Sequence, residues 1–574
     1  MNPDKSKTAN SGDAASADGP EEKTEATRPL AQSHRGLRHY SHTLQLLKGA
    51  NRRRWLTAAR GVVCGLLAGV LVVGYRLGIQ YGTQFAGKAY GWSKLHPLGF
   101  LGWAAAIALA TIIITRLTAW EPMASGSGIP QTEGTLLWGL KLRWWSVLIV
   151  RFVGGLLCSL FGLSLGREGP SIQIGAAASK AVGGKMSRNA VEENTLITSG
   201  AAAGLSAAFN APLSGMMFAL EEVHKSFSPS VLITAMTAAL SSDVVSKYCF
   251  GLKPVLDFAS VKQLPLQKYL WLLPLGLVAG LVGVIMNLCL LGFQTLYGRI
   301  PPYARTAVAL VIALPCGLFL PLSLGGGANT IQFAERAQGS LALLCTLLVV
   351  KVLFTATSYS SGVPGGIFMP ILAAGALSGS IFARIIILVA PGQLSRDTIP
   401  VFAVLAMAGA LTAAVKAPIT SILLVMEMSG SLVHMFPVAA VAFIALLVSD
   451  ALHIKPIYPA LLSRYMAQHE KTDISAIPAH SGMFEIPVQV GSVAAGKPLG
   501  SVEWPHHTDI ITIRRGNQEF VPQKDSLLKA GDALIVLFSG IDERHARKLM
   551  TELCENSPVT DFGRPTEQAG SIQV

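Results

Sequence analysis

From Trp55 onward the chain reads as apolar stretches separated by short clusters of charge. Residues 96–115, 269–298, 306–334, 352–383 and 429–449 contain no Asp, Glu, Lys or Arg. A helix crossing a bilayer needs about 20 apolar residues, so each stretch is long enough to span. The longest exceed one straight span, and several stretches carry internal Gly and Pro breaks, as in SGVPGGIFMP at 361–370. Shorter uncharged pieces, 152–165 and 172–179, lie between them. This pattern predicts tilted, partial and discontinuous helices, the arrangement that a midplane ion site requires.

The pattern repeats. AFNAPLSGMMFALE at 208–221 aligns without a gap on AVKAPITSILLVME at 414–427, an offset of 206. Gly166 and Pro170 recur as Gly366 and Pro370, an offset of 200. Two halves descended from one unit are expected, with the paired Gly/Pro breaks marking the substrate site. Helix parity along the sequence leaves open whether the halves are inverted.

The ends differ from the middle. Residues 1–54 are polar and predict a disordered arm, with a short amphipathic helix at 40–47. No apolar run follows Met1, so no signal peptide is expected. Arg52, Arg53 and Arg54 precede the first span and place the N-terminus in the cytoplasm under the positive-inside rule. Past Pro478, short β-rich runs (484–490, 509–514, 532–538) bounded by turn residues predict a small sheet domain with a helix at 541–554. The expected domains are therefore 1–54, a membrane domain 55–475, and a cytoplasmic domain 476–574 with its core at 484–552.

Composition agrees. Of 574 residues, 51% belong to the hydrophobic set and 14% are charged, against about 25% charged in a soluble domain. Mean hydropathy is +0.48. This excludes an ordinary soluble enzyme, a disordered scaffold and a disulfide-stapled secreted module. Of the net +13, the first 54 residues hold +4 and residues 476–574 hold −3, which leaves +12 in the membrane domain. That balance fits anionic substrates and positive cytoplasmic loops alike. Nucleic acid is not an expected partner, because no basic motif is interleaved with aromatics. Seven scattered cysteines without C-x-x-C indicate neither a disulfide framework nor a zinc site.

Four short motifs carry candidate chemistry. Gly126-Ser127-Gly128-Ile129-Pro130 can turn backbone amides and one hydroxyl toward an anion, or serve as an ordinary connecting turn. In Gly166-Arg167-Glu168-Gly169-Pro170 the proline suits the first helical position, so Glu168 falls near a positive helix terminus. A carboxylate there can occupy an anion site and leave it on protonation. It can also be a dipole-complementing acid paired with Arg167. Gly365-Gly366-Ile367-Phe368-Met369-Pro370 repeats the logic with amides alone, and otherwise reads as a close-packed glycine contact. Lys455-Pro456-Ile457-Tyr458 offers Tyr458 as a neutral donor or an interfacial tyrosine. Glu221 and Glu222 end the run after Pro212, as a solvated helix end or as acids that exchange protons with the cytoplasm. Gly162-Leu163-Ser164-Leu165-Gly166 fits a nucleophile elbow only formally, with no preceding soluble strand. No enzymatic activity and no cofactor is expected.

In order and rough spacing, GSGIP, GREGP, GGIFMP and KPIY resemble the CLC family of chloride channels and chloride/proton exchangers over roughly residues 60–465. The resemblance implies an all-α polytopic homodimer in a bacterial inner membrane, both termini cytoplasmic, with an anion pathway between two inverted halves of each subunit. It implies chloride binding by the Ser127 and Tyr458 hydroxyls and the Ile367 and Phe368 amides. Glu168 matches the family's external gating glutamate and Glu222 its internal proton glutamate, as in the exchangers. Coupled chloride/proton antiport is the expected function, a passive voltage-gated-type chloride channel the alternative. Gln131 stands where many bacterial relatives carry an acid, and Ser127 argues against the fluoride-selective branch. Residues 484–552 resemble TrkA-C regulatory domains rather than paired CBS domains, which implies a small-molecule ligand.

Overall fold

The computed structural model describes residues 30–187, 190–252, 254–256, 263–336, 338–469, 481–515, 518–539 and 543–554. They fall into two compact units, 1–459 and 460–574. The division lies inside a helix, ahead of the 475/476 boundary that the composition shift suggests.

The first half of the membrane unit runs α1 (Leu30–Leu95), α2 (Pro97–Trp120), α3 (Ile129–Trp138), α4 (Trp144–Leu160), α5 (Glu168–Met186), α6 (Ala190–Phe209), α7 (Pro212–Phe218) and α8 (Pro229–Phe250). Backbone helix thus begins at Leu30 and includes the expected helix at 40–47, where the sequence otherwise predicted a disordered arm; no proline interrupts it before Pro97. The expected disorder of residues 1–29 lies outside the described residues. The second half repeats the series: α9 (Leu272–Tyr297), α10 (Pro302–Phe319), α11 (Ala328–Glu335), α12 (Leu341–Ser360), α13 (Phe368–Val389), α14 (Ile399–Val415), α15 (Pro418–Ser429) and α16 (Met435–Ala451). A last helix, α17 (Ile457–His469), follows. Among the described residues, eight helices are long and apolar enough to cross a membrane. The uncharged stretches 306–334 and 352–383 are each broken, at 320–327 and 361–367.

The halves correspond element by element. α5 packs on α6 as α13 packs on α14, and α1 packs on α8 as α9 packs on α16. Where they meet, equivalent residues exchange bonds. The Gly166 amide donates to the Gly366 carbonyl at 2.7 Å and the reverse bond is 2.8 Å, an antiparallel bridge. The Glu221 carboxylate accepts from the Thr420 amide (2.8 Å) and hydroxyl (2.6 Å), at the start of α15. Its repeat partner Glu427 accepts from the Ser214 amide (2.8 Å) and hydroxyl (2.5 Å), at the start of α7. Each acid fills the orphan donors of the other half's helix N-terminus. Mutual contact between equivalent positions is the signature of a two-fold relation.

Small residues let the inner helices touch. A β-carbon on Gly175 of α5 would lie 2.1 Å from the Gly200 carbonyl oxygen of α6, and one on Gly204 would lie 2.1 Å from that of Ser171. Overpacking a core costs about 1–3 kcal/mol when side chains can yield; here the obstacle is backbone, which cannot. Gly175→Val is therefore expected to abolish monodisperse protein in detergent size-exclusion. A normal yield would show that α5 and α6 separate freely.

The second unit contains a sheet of order β1-β4-β2-β3, from β1 (Ser481–Pro487), β2 (Thr508–Arg515), β3 (Gln518–Phe520) and β4 (Ala533–Ser539). Its pairings are antiparallel, with a bulge at Ile510/Thr512. Alternation puts Phe484, Ile486, Ile513, Leu534, Val536 and Phe538 in one core with Ala546, Met550 and Cys554 of α18 (Glu543–Cys554). Arg515 grips the buried Asp532 with Nε and Nη2, both at 2.7 Å, and the Lys529 amide adds a third bond of 2.7 Å. Burial pushes the Asp532 carboxyl up, but the Arg515 fork, the Lys529 amide and the two cationic charges outweigh it and hold the group below its ordinary value. A depressed folded-state value stabilises above the unfolded value of about 3.9 and is lost as pH falls through the folded one. Amide exchange across β2 and β4 in the full-length protein, taken relative to the intrinsic rate at each pH, should thus accelerate below about pH 4. Arg515→Ala should accelerate it already at pH 7; unchanged exchange would remove this pair from the unit's stability.

Candidate functional site

The site is made of chain breaks. Gly126 and Gly128 turn through the left-handed region (φ +57° and +88°), which frees the GSGIP segment to reverse before α3. Arg151, fully buried in α4, holds that reversal: Nη1 donates to the Gly126 carbonyl at 2.5 Å and Nη2 to that of Ser125 at 3.2 Å. Its Nε donates to Gln173 of α5, whose own amide reaches the Met123 carbonyl at 2.8 Å. Gln131 donates to the Ser125 carbonyl at 2.9 Å, so the neutral residue there serves the loop.

Ser127 emerges fully buried, its hydroxyl without a protein partner. It lies against Gly169: a β-carbon there would sit 2.4 Å from the Ser127 carbonyl oxygen. The Gly166–Gly366 bridge in turn joins GREGP to GGIFMP, where Ile367 and Phe368 are buried at the start of α13. Arg167 is the N-cap residue of α5 and Pro170 lies in its first turn. Pro370 occupies the same place in α13. The Phe368 ring stands 5.6 Å from that of Phe218, which stands 6.3 Å from that of Tyr458. Tyr458 is fully buried with an unpartnered hydroxyl. All four motifs thus converge.

Glu168 opens α5 and is 1% exposed. Backbone amides of Arg167, Glu168 and Met369 lie close enough to act on its carboxylate, so helix starts from both halves serve one acid. Its Oε2 has no partner and folds back over Gly166. The sequence named the Ile367 and Phe368 amides; that Met369 serves Glu168 depends on the meeting of the halves.

Glu222 lies apart. After α7 the chain continues as one π-helical turn, Ala219–His224, ended by Lys225 in the left-handed region. The turn points consecutive acids in different directions: Glu221 into the α15 start, Glu222 into the protein, 5% exposed with Oε1 unpartnered. Neither is a solvated helix end. Close to Glu222, Lys225 pairs with buried Glu133 at 2.5 Å. Tyr458 is within electrostatic reach of both Glu222 and Glu168.

Several residues of this region were not singled out from sequence. Besides Arg151 they include Glu133 and Lys351, which is fully buried and donates to the Gly325 and Ser323 carbonyls at 2.7 and 3.1 Å. Their signal was a lone charge in an apolar stretch, which marks function in a membrane by default.

Fold and site together define a polytopic membrane protein with a buried, amide-lined acid where two two-fold-related halves meet. The family model described as voltage gated chloride channel matches residues 106–450, and a TrkA-C domain model matches 483–551. The H(+)/Cl(-) exchange transporter ClcA of Cronobacter sakazakii is 35% identical, over 71% of this chain and 89% of its own length. That of Salmonella typhimurium is 33% identical, over 78% and 96%. A slow cyanobacterial Cl-/H+ antiporter of known crystal structure superposes with a TM-score of 0.68 at 30% identity, covering 72% of this chain and 99% of that one. A CLC-type fluoride/proton antiporter shares the fold, at a TM-score of 0.60 and 24% identity. This chain belongs to the voltage-gated chloride channel (CLC) family and carries a C-terminal TrkA-C domain.

Proposed function

We propose that this protein exchanges chloride for protons across a bacterial inner membrane, as a homodimer with one pathway per subunit. One observation carries the reading: the buried Glu168 carboxylate lies within the influence of backbone amides at the helix starts of both halves and keeps an oxygen unpartnered. A carboxylate so held stands where an anion is favoured, and it must leave, neutralised, for an anion to take its place. Ser127, Tyr458 and the Ile367 and Phe368 amides hold the chloride next to it. Glu222 exchanges the proton with the cytoplasm, onto which both termini open. The TrkA-C unit adjusts transport on binding a small molecule; the ion motifs named here all lie outside it.

Full-length protein in proteoliposomes, given only a chloride gradient, is expected to drive protons uphill. Chloride flux without proton movement would replace the exchanger by a passive channel.

A further inference from the structure

Glu168 lines a cavity of about 390 Å³, and so do Arg167 and Arg76. Arg76 belongs to α1 and is 6% exposed. Its Nη1 donates to the Asn210 side chain (2.6 Å), the Ala207 carbonyl (3.1 Å) and the Ser246 hydroxyl (3.1 Å), while its guanidinium lies 3.9 Å over the Phe250 ring. These are neutral partners. They explain one nitrogen, which caps the end of α6. They do not explain Nε, which is buried without a partner, or why a cation is kept at this wall. Among the described residues no ion pair neutralises Arg76, and Arg167 is within its electrostatic reach.

A buried charge without a counter-charge is costly, and an uncompensated guanidinium recruits an anion where one has access. Among the described residues that line it, two guanidiniums and one carboxylate give the cavity +1, and +2 whenever Glu168 is neutral. Asn329 and Gln80 also line the cavity and can add neutral donors. We propose that Arg76 and Arg167 form a second anion site, in the vestibule on the Glu168 side, that takes one small monovalent inorganic anion before it enters the pathway. The site rests on the exchanger reading for its purpose, but its occupancy is independent of coupling.

Bromide is the probe. Crystals of the full-length wild-type protein grown in bromide should show an anomalous peak beside Arg76, separate from any peak at Ser127 and Tyr458. In proteoliposomes, with chloride varied on each face in turn, Arg76→Gln should raise the half-saturating chloride about fivefold or more on one face only, by a larger factor than it lowers turnover. Arg76→Lys should recover at least half of that rise. A purely structural cap would affect both faces alike and turnover most. No bromide beside Arg76, equal shifts on both faces, or a lysine variant indistinguishable from glutamine overturns the site. Should the glutamine variant not fold, the wild-type peak and the lysine variant decide. A peak beside Arg76 in a protein that moves no protons keeps the site and rejects the exchanger.

Discussion

Glu168→Gln is expected to abolish uphill proton movement in reconstituted full-length protein, with proton flux under a chloride gradient falling to the level of empty liposomes. Glutamine keeps the shape of the side chain and removes the two properties the geometry uses. It carries no negative charge, so it cannot compete with chloride for the amides of Arg167, Glu168 and Met369. It also has no proton to release. Each helix start favours a negative group by about 0.3–1 kcal/mol, and up to about 2 kcal/mol in buried settings. Two starts converging on one acid make the anion-mimicking state the main loss. Chloride flux in the variant should no longer respond to pH on the Glu168 face, because glutamine cannot titrate at the position of the group proposed to open and close the path. Proton pumping that survives in Glu168→Gln would remove Glu168 from the coupling step.

Glu222→Gln should divide the two fluxes: proton movement lost, chloride flux persisting. The acid sits on the π-helical turn and makes none of the contacts that join Ser127, Gly169, Gly366 and Phe368. Its neighbour Lys225 remains about one-third exposed, which opens the region toward water, while Glu133 beneath is buried. On the proposed reading, a neutral amide at 222 should end proton exchange without touching the anion path. Glu221 cannot substitute, since its carboxylate is spent on Thr420. Loss of chloride flux together with proton flux, in a well-folded variant, would show that Glu222 shapes the anion path after all. The two variants separate the roles because both replace a buried acid isosterically, so a shared cost in stability cancels between them.

Much of the architecture was legible because it is written in local chemistry. Uncharged stretches too long for one span, broken by Gly and Pro, announce helices that stop midway; 306–334 and 352–383 do so. The offset of 206 between AFNAPLSGMMFALE and AVKAPITSILLVME announced the halves, and strand alternation announced the sheet from 481 to 539. Hydropathy, periodicity and proline act on neighbours in the chain, so one sequence is enough to read them.

What the sequence could not determine depends on partners about 200 residues away. Glu221 and Glu222 are adjacent and chemically identical, yet one caps a helix of the other half and one keeps a buried oxygen unpartnered. The family resemblance singled out Glu222, but the physical reason for the difference is the meeting of α15 with the π-helical turn. Arg151 and Arg76 read as isolated charges until folding sets the first against the Gly126 carbonyl and the second in the wall beside Glu168. Glu427 stood out only as the repeat partner of Glu221, and its role exists only through the two-fold relation. The sequence by itself determined where helices break, that the chain is doubled, and that its tail is a separate sheet. The tertiary structure decided which buried charges are satisfied, because satisfaction in a low-dielectric interior is set by distance in space and not by distance along the chain.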